Sequence, residues 1–216
     1  MQLINLNAFN VIQKKKRCTL SINFGFTLVE MSIVLVIVGL ILGGVLNARS
    51  IIRNAQTQDR IKAIKDFTVA AHQFKERYGM WPGDYSNAVA TIAGLTCANG
   101  DGLGQVNTAA ETACATQSLI RAGMLRGDVA NPITIGQSTY TITSPALSGV
   151  AALPASWVNV VHIQNLDCDS AVQMDRAVDD GNVDTGNFRV TAGGCGAAGS
   201  NQDENVAIAN AAYRVN

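Results

Sequence analysis

The stretch from Phe26 to Leu46 reads FTLVEMSIVLVIVGLILGGVL and holds one charged residue, Glu30. A helix of this length rises about 31 Å, close to the hydrocarbon thickness of a bilayer. Because a helix satisfies its own backbone hydrogen bonds, the stretch predicts a membrane-spanning helix. Four basic residues, 14–17, precede it, and basic flanks stay in the cytoplasm. We therefore expect the C-terminal part of the chain outside the cytoplasm.

A secretory signal peptide is the alternative interpretation of this run. The apolar core of a signal peptide is shorter, roughly 7–15 residues, and a small-residue cleavage site follows it. Here the run is longer, and no Ala-x-Ala pattern closes it before Asn47. The residues therefore favour a helix that spans the membrane.

The single acid in the run, Glu30, requires an explanation. A carboxylate within a membrane-spanning segment costs free energy and by default marks a functional position. Near the start of a helix, however, it can reach the lipid headgroups and also favour the positive helix terminus. Both interpretations follow from the residues alone.

The stretch GFTLVEMSIVLVIVGLILGGV, residues 25–45, resembles the N-terminal signature of type IV prepilins and pseudopilins. In that family a prepilin peptidase removes a basic leader that ends in Gly, and the new N-terminal residue is methylated. The resemblance implies cleavage between Gly25 and Phe26 and N-methylation of Phe26. It also implies that Glu30 of one subunit pairs with the terminal amine of another in a filament.

The same resemblance implies a structural subunit of a type IV pilus or of the pseudopilus of type II secretion. Its partners would be the prepilin peptidase, other pilin-like subunits in a homo- or hetero-polymer, an inner-membrane assembly platform and membrane lipid. It would start in the bacterial cytoplasmic (inner) membrane as a single-pass protein and then enter the filament. The run has no Pro near Asn47, where many family members have one, which favours a minor pilin or pseudopilin. The alternative is a permanently membrane-anchored binding protein or receptor that does not polymerise.

Beyond the apolar run, six residues spaced by three or four predict that the helix continues with one apolar face. They are Ile61, Ile64, Phe67, Ala71, Phe74 and Tyr78. Gly79 and Pro82 should end this helix, and Trp81 should pack beneath the following Pro82-Gly83-Asp84 turn. Accordingly we divide the chain into a cleaved cytoplasmic leader (1–25), a transmembrane half-helix (26–46), an amphipathic continuation (47–79) and an extracytoplasmic head (80–216).

The head shows short helical and strand patterns. Thr108 or Thr112 should begin a helix that ends at Gly123 or Gly127, and a second helix should start after Asp167 or Asp169 and end near Gly181. Strand patterns cover three further stretches. These are residues 133–142 with a hairpin turn at Gly136, residues 156–164 and residues 187–193. The predicted fold class is α+β and pilin-like, with a long N-terminal helical spine packed against a small antiparallel β-sheet head.

Four of the five cysteines follow the apolar run, and an even number in an oxidising compartment predicts two disulfides. Pairing of sequence neighbours, Cys97 with Cys114 and Cys168 with Cys195, is the arrangement we favour among three. No Cys-x-x-Cys or Cys/His spacing supports a metal site instead.

Acidic residues cluster around Gly181, where Asp175, Asp179, Asp180 and Asp184 could bind Ca²⁺ through their oxygens. Some pseudopilins use calcium in the C-terminal head, but the EF-hand spacing is not met, and a helix end followed by a turn explains these residues equally well. Asp101 in the Gly-rich loop 94–108 is a weaker candidate for calcium.

The sequence gives no indication of catalysis or of nucleic-acid binding. Residues 1–25 hold four basic residues and no acid, which leaves the rest of a neutral chain at −4; a nucleic-acid groove needs the opposite charge. No sequence pattern pairs His72 or His162 with a catalytic nucleophile or a positioned acid. The sequence also contains no Gly-x-Ser-x-Gly, Walker or His-Glu-x-x-His motif. We expect both histidines to be structural, and we expect the protein not to be an enzyme.

Overall fold

The computed structural model describes residues 25–129, 133–191, 195 and 207–215. Its contacts divide the chain into two units, Met1–Asn47 and Ala48–Asn216. The architecture is α+β, with a long N-terminal helix, shorter helices and one small antiparallel sheet, as the sequence predicts. The leader assigned to residues 1–25 lies, apart from Gly25, outside the described residues.

Within the described residues the chain forms four α-helices and five strands. The helices are α1 (Leu28–Tyr78), α2 (Ala88–Thr91), α3 (Ala109–Arg121) and α4 (Cys168–Val178). The strands are β1 (Ile133–Ile135), β2 (Ser138–Thr143), β3 (Val160–Asp167), β4 (Phe188–Val190) and β5 (Ala207–Arg214). They form one sheet in the order β1-β2-β3-β5-β4, and every neighbouring pair is antiparallel.

The part of α1 in the second unit presents the predicted apolar face to the core. Of the six residues named above, Tyr78 is half-buried and the other five are buried. Phe67 on this face stacks on Tyr140 of β2, with ring centroids 6.1 Å apart. A spacing of three and four residues keeps such side chains on one side of a helix, so the periodicity alone located the core contact of α1.

The turn after α1 is closed by aromatic packing. Trp81 is buried, its ring lies edge-on to His72 with centroids 5.5 Å apart, and the ammonium of Lys75 lies 4.2 Å from the Trp81 ring centroid. The following Gly83 has φ +90°, and a Cβ there would overlap the carbonyl oxygen of Glu111. Only glycine tolerates both conditions, and the predicted position of Trp81 is confirmed.

Side-chain caps fix where α3 and α4 begin. Thr108 Oγ1 accepts a hydrogen bond from the Glu111 backbone N–H at 3.1 Å, and Glu111 Oε2 accepts one from the Thr108 backbone N–H. Together the two bonds form a capping box. Asp167 accepts from the Ser170 N–H at 2.8 Å at the start of α4. Of the alternatives that the sequence offered, the structure uses Thr108 and Asp167.

The strands differ from the sequence-based expectation in three places. The predicted strand 156–164 starts only at Val160 and runs on to Asp167, since pairing with β2 and β5 fixes its register. The strand predicted over 187–193 is confined to Phe188–Val190. Strand β5 was not predicted at all. The loop expected at residues 193–201 lies outside the described residues, apart from Cys195.

Two disulfides join sequence neighbours. Cys97 is bonded to Cys114, which ties the Gly-rich loop to α3, and Cys168 at the start of α4 is bonded to Cys195. Each closes a short chain segment, which restricts the unfolded state.

An ion pair between buried Arg60 and half-buried Asp167 links α1 to the start of α4. The Arg60 guanidinium is 7% exposed, and its Nη1 lies 3.1 Å from Asp167 Oδ2 and donates to Ser170 Oγ. Burial alone would raise the pKa of Asp167. Hydrogen bonds from the backbone N–H and side chain of Ser170 and the charge of Arg60 outweigh that effect and hold the pKa below its ordinary value. A buried cation of this kind needs its partner, because an unpaired charge inside a protein is costly.

We predict that Asp167→Asn lowers the free energy of unfolding by about 1–3 kcal/mol, because Asn can still cap α4 but leaves buried Arg60 without its anion. Chemical unfolding of the full chain in detergent measures this. Asp66→Asn is the control: Asp66 and Lys62 form an exposed pair on the same helix, and its loss should cost no more than about 1 kcal/mol. Equal effects of the two substitutions would contradict a role for the buried pair.

Candidate functional site

Helix α1 begins with a side-chain cap at Thr27. Its Oγ1 accepts a hydrogen bond from the Glu30 backbone N–H at 3.2 Å, and its carbonyl accepts from the Met31 N–H at 3.2 Å. Residues 27–30 therefore follow the Thr-x-x-Glu order of a helix start. This cap fixes the helix origin two residues after Gly25, so that the peptide bond between Gly25 and Phe26 precedes the first helical turn.

Glu30 lies in the first turn of α1 with an exposed side chain. Within the described part of the chain, its carboxylate makes no hydrogen bond or salt bridge. A negative side chain at this position is favoured by the partial positive charge of the first turn. That interaction leaves the carboxylate oxygens available to a partner outside the subunit.

Apart from Glu30, residues 25–45 form a largely apolar surface. All side chains from 25 to 45 are exposed, including Phe26 (73%), Leu28 (92%) and Leu40 (73%). The window Leu28–Val45 has a mean hydropathy of 2.6 and none of it is buried. By length and composition this helix can cross a bilayer, a test that a signal sequence also passes. Soluble proteins rarely expose a contiguous apolar surface of this size.

The structure brings together three of the four acids predicted near Gly181. Asp175, Asp179 and Asp180 each place a carboxylate oxygen within 4.8 Å of the other two, and Asp184 is not part of this group. We call these three the C-terminal acidic group. Asp184 lies in the turn that follows, where its backbone N–H donates to Asn182 Oδ1. The sequence could not show this, because a turn of the chain separates residues that are close in number.

Asp175 is the unusual member of the C-terminal acidic group. It is fully buried, and neither of its carboxylate oxygens has a hydrogen-bond partner. Burial and, to a smaller extent, the charges of Asp180 and Asp179 raise the pKa of Asp175 to about 7, and the backbone of Gly181 has a small opposing effect.

A second set of three acids was not predicted as a set. Asp84, Asp101 and Glu111 also bring one carboxylate oxygen each within 4.8 Å of one another. Asp84 belongs to the turn after α1, Asp101 to the Gly-rich loop and Glu111 to the first turn of α3. The Thr-x-x-Glu order at 108–111 was a readable signal for the position of Glu111. Nothing in the sequence showed that Asp84 approaches it, because that contact depends on tertiary folding.

The two histidines make hydrogen bonds within the head. His72 Nε2 lies 2.7 Å from the Val215 carbonyl oxygen, which joins α1 to the end of β5. His162 Nε2 lies 2.9 Å from Asn210 Oδ1 on the neighbouring strand, and burial lowers the pKa of His162. Both side chains are therefore used in contacts between elements.

Comparison with known families bears on the first unit. Residues 21–46 match the family model described as the prokaryotic N-terminal methylation motif. No curated protein and no solved structure shows a significant match to the chain. The match covers the Gly25–Phe26 bond, the cap at Thr27, the exposed Glu30 and the apolar helix. The chain therefore carries the N-terminal methylation motif that is the signature of type IV pilins and pseudopilins.

Proposed function

We propose that this protein is a structural subunit of a type IV pilus or of a type II secretion pseudopilus. Prepilin peptidase cuts it between Gly25 and Phe26, and the mature chain assembles through the apolar helix of residues 26–46. The observation that carries this proposal is the exposed apolar helix with one acid in its first turn, at the residues that match the methylation motif. The remainder of the chain forms the extracytoplasmic head.

The exposed apolar side chains explain why the subunit needs two environments. Removing apolar surface from water gains about 25 cal/mol per Å², so this helix is stable in lipid before assembly. In a filament the same side chains pack against the helices of other subunits. The glycines at 39, 43 and 44 leave open space on the helix surface, and small residues let neighbouring helices approach closely.

Cleavage creates a positive charge that can pair with Glu30, which has no such partner within the described residues of the isolated subunit. A new α-amino group at Phe26 is a cation, and Glu30 is an exposed anion four residues along the same helix. In a packed apolar filament an unpaired charge is expensive, whereas a paired one is tolerated. Pairing between subunits then sets their axial register, because any other stagger leaves both charges alone.

Processing is tested by mass spectrometry of the protein isolated from its native membrane. We expect a mature chain whose first residue is N-methylated Phe26. The Gly25 carbonyl is the acyl side of the cut bond, and Phe26 keeps the amine that is methylated. An intact leader would contradict the proposal and would favour the permanently anchored receptor.

Assembly is tested by replacing Glu30 with Gln. Removing one member of a buried ion pair costs about 3–5 kcal/mol, so we expect filament yield to fall roughly a hundredfold or more. Quantitative immunoblotting of sheared filaments measures this, and membrane levels of the subunit show that the chain is still made. Glu76→Gln is the matched control, an exposed acid in the last part of α1, and it should assemble normally. Normal filaments from the Glu30 variant would rule out the pairing.

A specific observation favours an additional role for the head: we propose that the C-terminal acidic group binds Ca²⁺. Asp175 is buried with both oxygens unpartnered, and it lies in the last turn of α4, where the helix dipole also disfavours a negative charge. Oxygen ligands from several carboxylates are the ligands that Ca²⁺ prefers. The charged and titratable groups around Asp175 are Asp179 and Asp180, with Arg189 acting on Asp180 and Tyr213 near Asp179.

The calcium proposal predicts a particular pH dependence. In chelator, the folded chain keeps a proton on Asp175 between its ordinary pKa of 3.8 and about 7, whereas the unfolded chain has lost it. The free energy of unfolding therefore falls as pH rises through this range. Millimolar Ca²⁺ should restore the stability at alkaline pH, and Asp175→Asn should reduce both the pH dependence between pH 3.8 and about 7 and the stabilisation by calcium. Asp184→Asn, the acid outside the group, is the control; an unchanged pH profile in Asp175→Asn would contradict the proposal.

A further inference from the structure

Three carboxylates meet where the turn after α1, the Gly-rich loop and the start of α3 come together. Asp84 is fully buried, Glu111 is 4% exposed and Asp101 is exposed at the surface. Each contributes one oxygen to a group in which all distances are below 4.8 Å. In the described ranges, no Lys or Arg forms an ion pair with any of the three. The group therefore brings three acidic side chains together, two of them buried and one at the surface.

The carboxylate of Asp84 is the clearest sign that a partner is missing. Its Oδ2 accepts a hydrogen bond from the Gly104 N–H at 2.9 Å, but its Oδ1 is buried and has none. Burial, together with smaller contributions from hydrogen bonding to Asp101 and from the charges of Glu111 and Asp101, raises the pKa of Asp84 to about 6, and the Gly104 N–H opposes the rise. A buried carboxylate oxygen without a partner costs free energy, which a cation in contact with it would remove.

Backbone N–H groups orient the other two acids without neutralising them. Glu111 Oε1 accepts from the Asp101 N–H at 3.0 Å, and its Oε2 accepts from the N–H groups of Asn107 and Thr108. Asp101 Oδ1 accepts from the Leu103 N–H at 3.0 Å. These bonds hold the carboxylates in fixed directions, but they leave the net charge of the group unchanged.

The Gly-rich loop has glycine where it comes closest to the backbone of Asp84. A Cβ at Gly100 would overlap the backbone of Asp84, and the Gly102 N–H donates to the Asp84 carbonyl at 3.0 Å. Gly102 and Gly104 both have positive φ, which glycine adopts readily. The glycines thus allow the loop to fold tightly over the buried carboxyl and bring Asp101 beside it.

We propose that Asp84, Asp101 and Glu111 form a second divalent-cation site, selective for Ca²⁺ over Mg²⁺. Two oxygens bound to one Ca²⁺ at 2.3–2.6 Å are separated by up to about 5 Å, which the observed spacing allows. Mg²⁺ demands a smaller and more regular octahedron. With three carboxylates and an exposed edge at Asp101, affinity falls in the range of extracellular calcium modules, with Kd of about 10⁻⁴–10⁻³ M. Only the availability of millimolar calcium rests on the proposed extracytoplasmic location of the head.

The proposed site would connect the turn after α1, the Gly-rich loop and the start of α3, which no shared helix or strand joins. The Gly-rich loop is tied to α3 by the Cys97–Cys114 disulfide, and the cation would tie the same loop to the turn after α1. The disulfide holds the loop at Cys97, and the cation would hold it at Asp101. Calcium binding is therefore expected to protect the segment between Cys97 and Thr108 from proteolysis.

Calorimetric titration of the unassembled full chain in detergent tests the proposal. The chain is freed of metal with chelator and then titrated with Ca²⁺ or Mg²⁺ at neutral pH. We expect Asp101→Asn to weaken one calcium-binding event at least roughly tenfold and to remove the calcium-dependent protection of the loop. Asp101 is exposed and its amide oxygen can still accept from Leu103, so the variant should fold. Asp180→Asn in the C-terminal acidic group is the matched control and should leave this event intact.

Other results would overturn the proposal. These are calcium binding with unchanged affinity and stoichiometry in both Asp101→Asn and Asp84→Asn, loss of all binding in Asp180→Asn alone, and Mg²⁺ binding as tight as Ca²⁺. None of these measurements requires a filament. Failure of this site is therefore distinguishable from failure of the assembly proposal, which depends on Glu30 and the Gly25–Phe26 bond.

Discussion

An apolar helix that nothing in its own subunit covers is the constraint on which the rest of this molecule depends. The window Leu28–Val45 has no buried residue, and each large aliphatic side chain left in water forgoes about 1.5–3 kcal/mol. Such a segment is stable only in lipid or against other apolar helices. In the proposed function this apolar surface is buried in two successive environments. The membrane covers it first, and the helices of other pilin-like subunits cover it after assembly.

Charges in apolar surroundings are handled in three different ways along the chain. Arg60 on α1 is buried and paired with Asp167 inside the subunit, so its requirement is met by folding alone. Glu30 lies on the uncovered helix with no partner among the described residues, so its requirement must be met from outside. Asp84 and Asp175 are buried with unpartnered oxygens, and the partner proposed for each of them is a small cation that does not depend on assembly. The source of the opposite charge thus differs among the three cases. It is the fold for Arg60, another subunit for Glu30 in the proposed assembly, and a bound cation for Asp84 and Asp175 in the proposed sites.

The sequence predicted those features that depend on local spacing. The apolar face of α1, the hairpin at Gly136 and the caps at Thr108 and Asp167 all follow from residues a few positions apart. Strand β5 was missed because its Ala-rich sequence has little intrinsic strand preference, and its existence depends on pairing with β3 and β4. For the same reason the sequence could not predict that Asp84 lies close to Glu111. The two residues are 27 positions apart, and only the packing of the turn and the loop brings them together.

The head closes through links that a reducing compartment does not supply. The Gly-rich loop has little regular structure of its own and depends on the Cys97–Cys114 disulfide, and Cys168–Cys195 ties the start of α4 to the segment that precedes β5. Disulfides persist in oxidising compartments, so the two bonds agree with the proposed location of the head beyond the cytoplasm. Under the proposed function the order of events follows from this chemistry, because the helix must insert before the head meets an oxidising compartment. Assembly through Glu30, as proposed, would then come last and would use a subunit whose head is already closed by its disulfides.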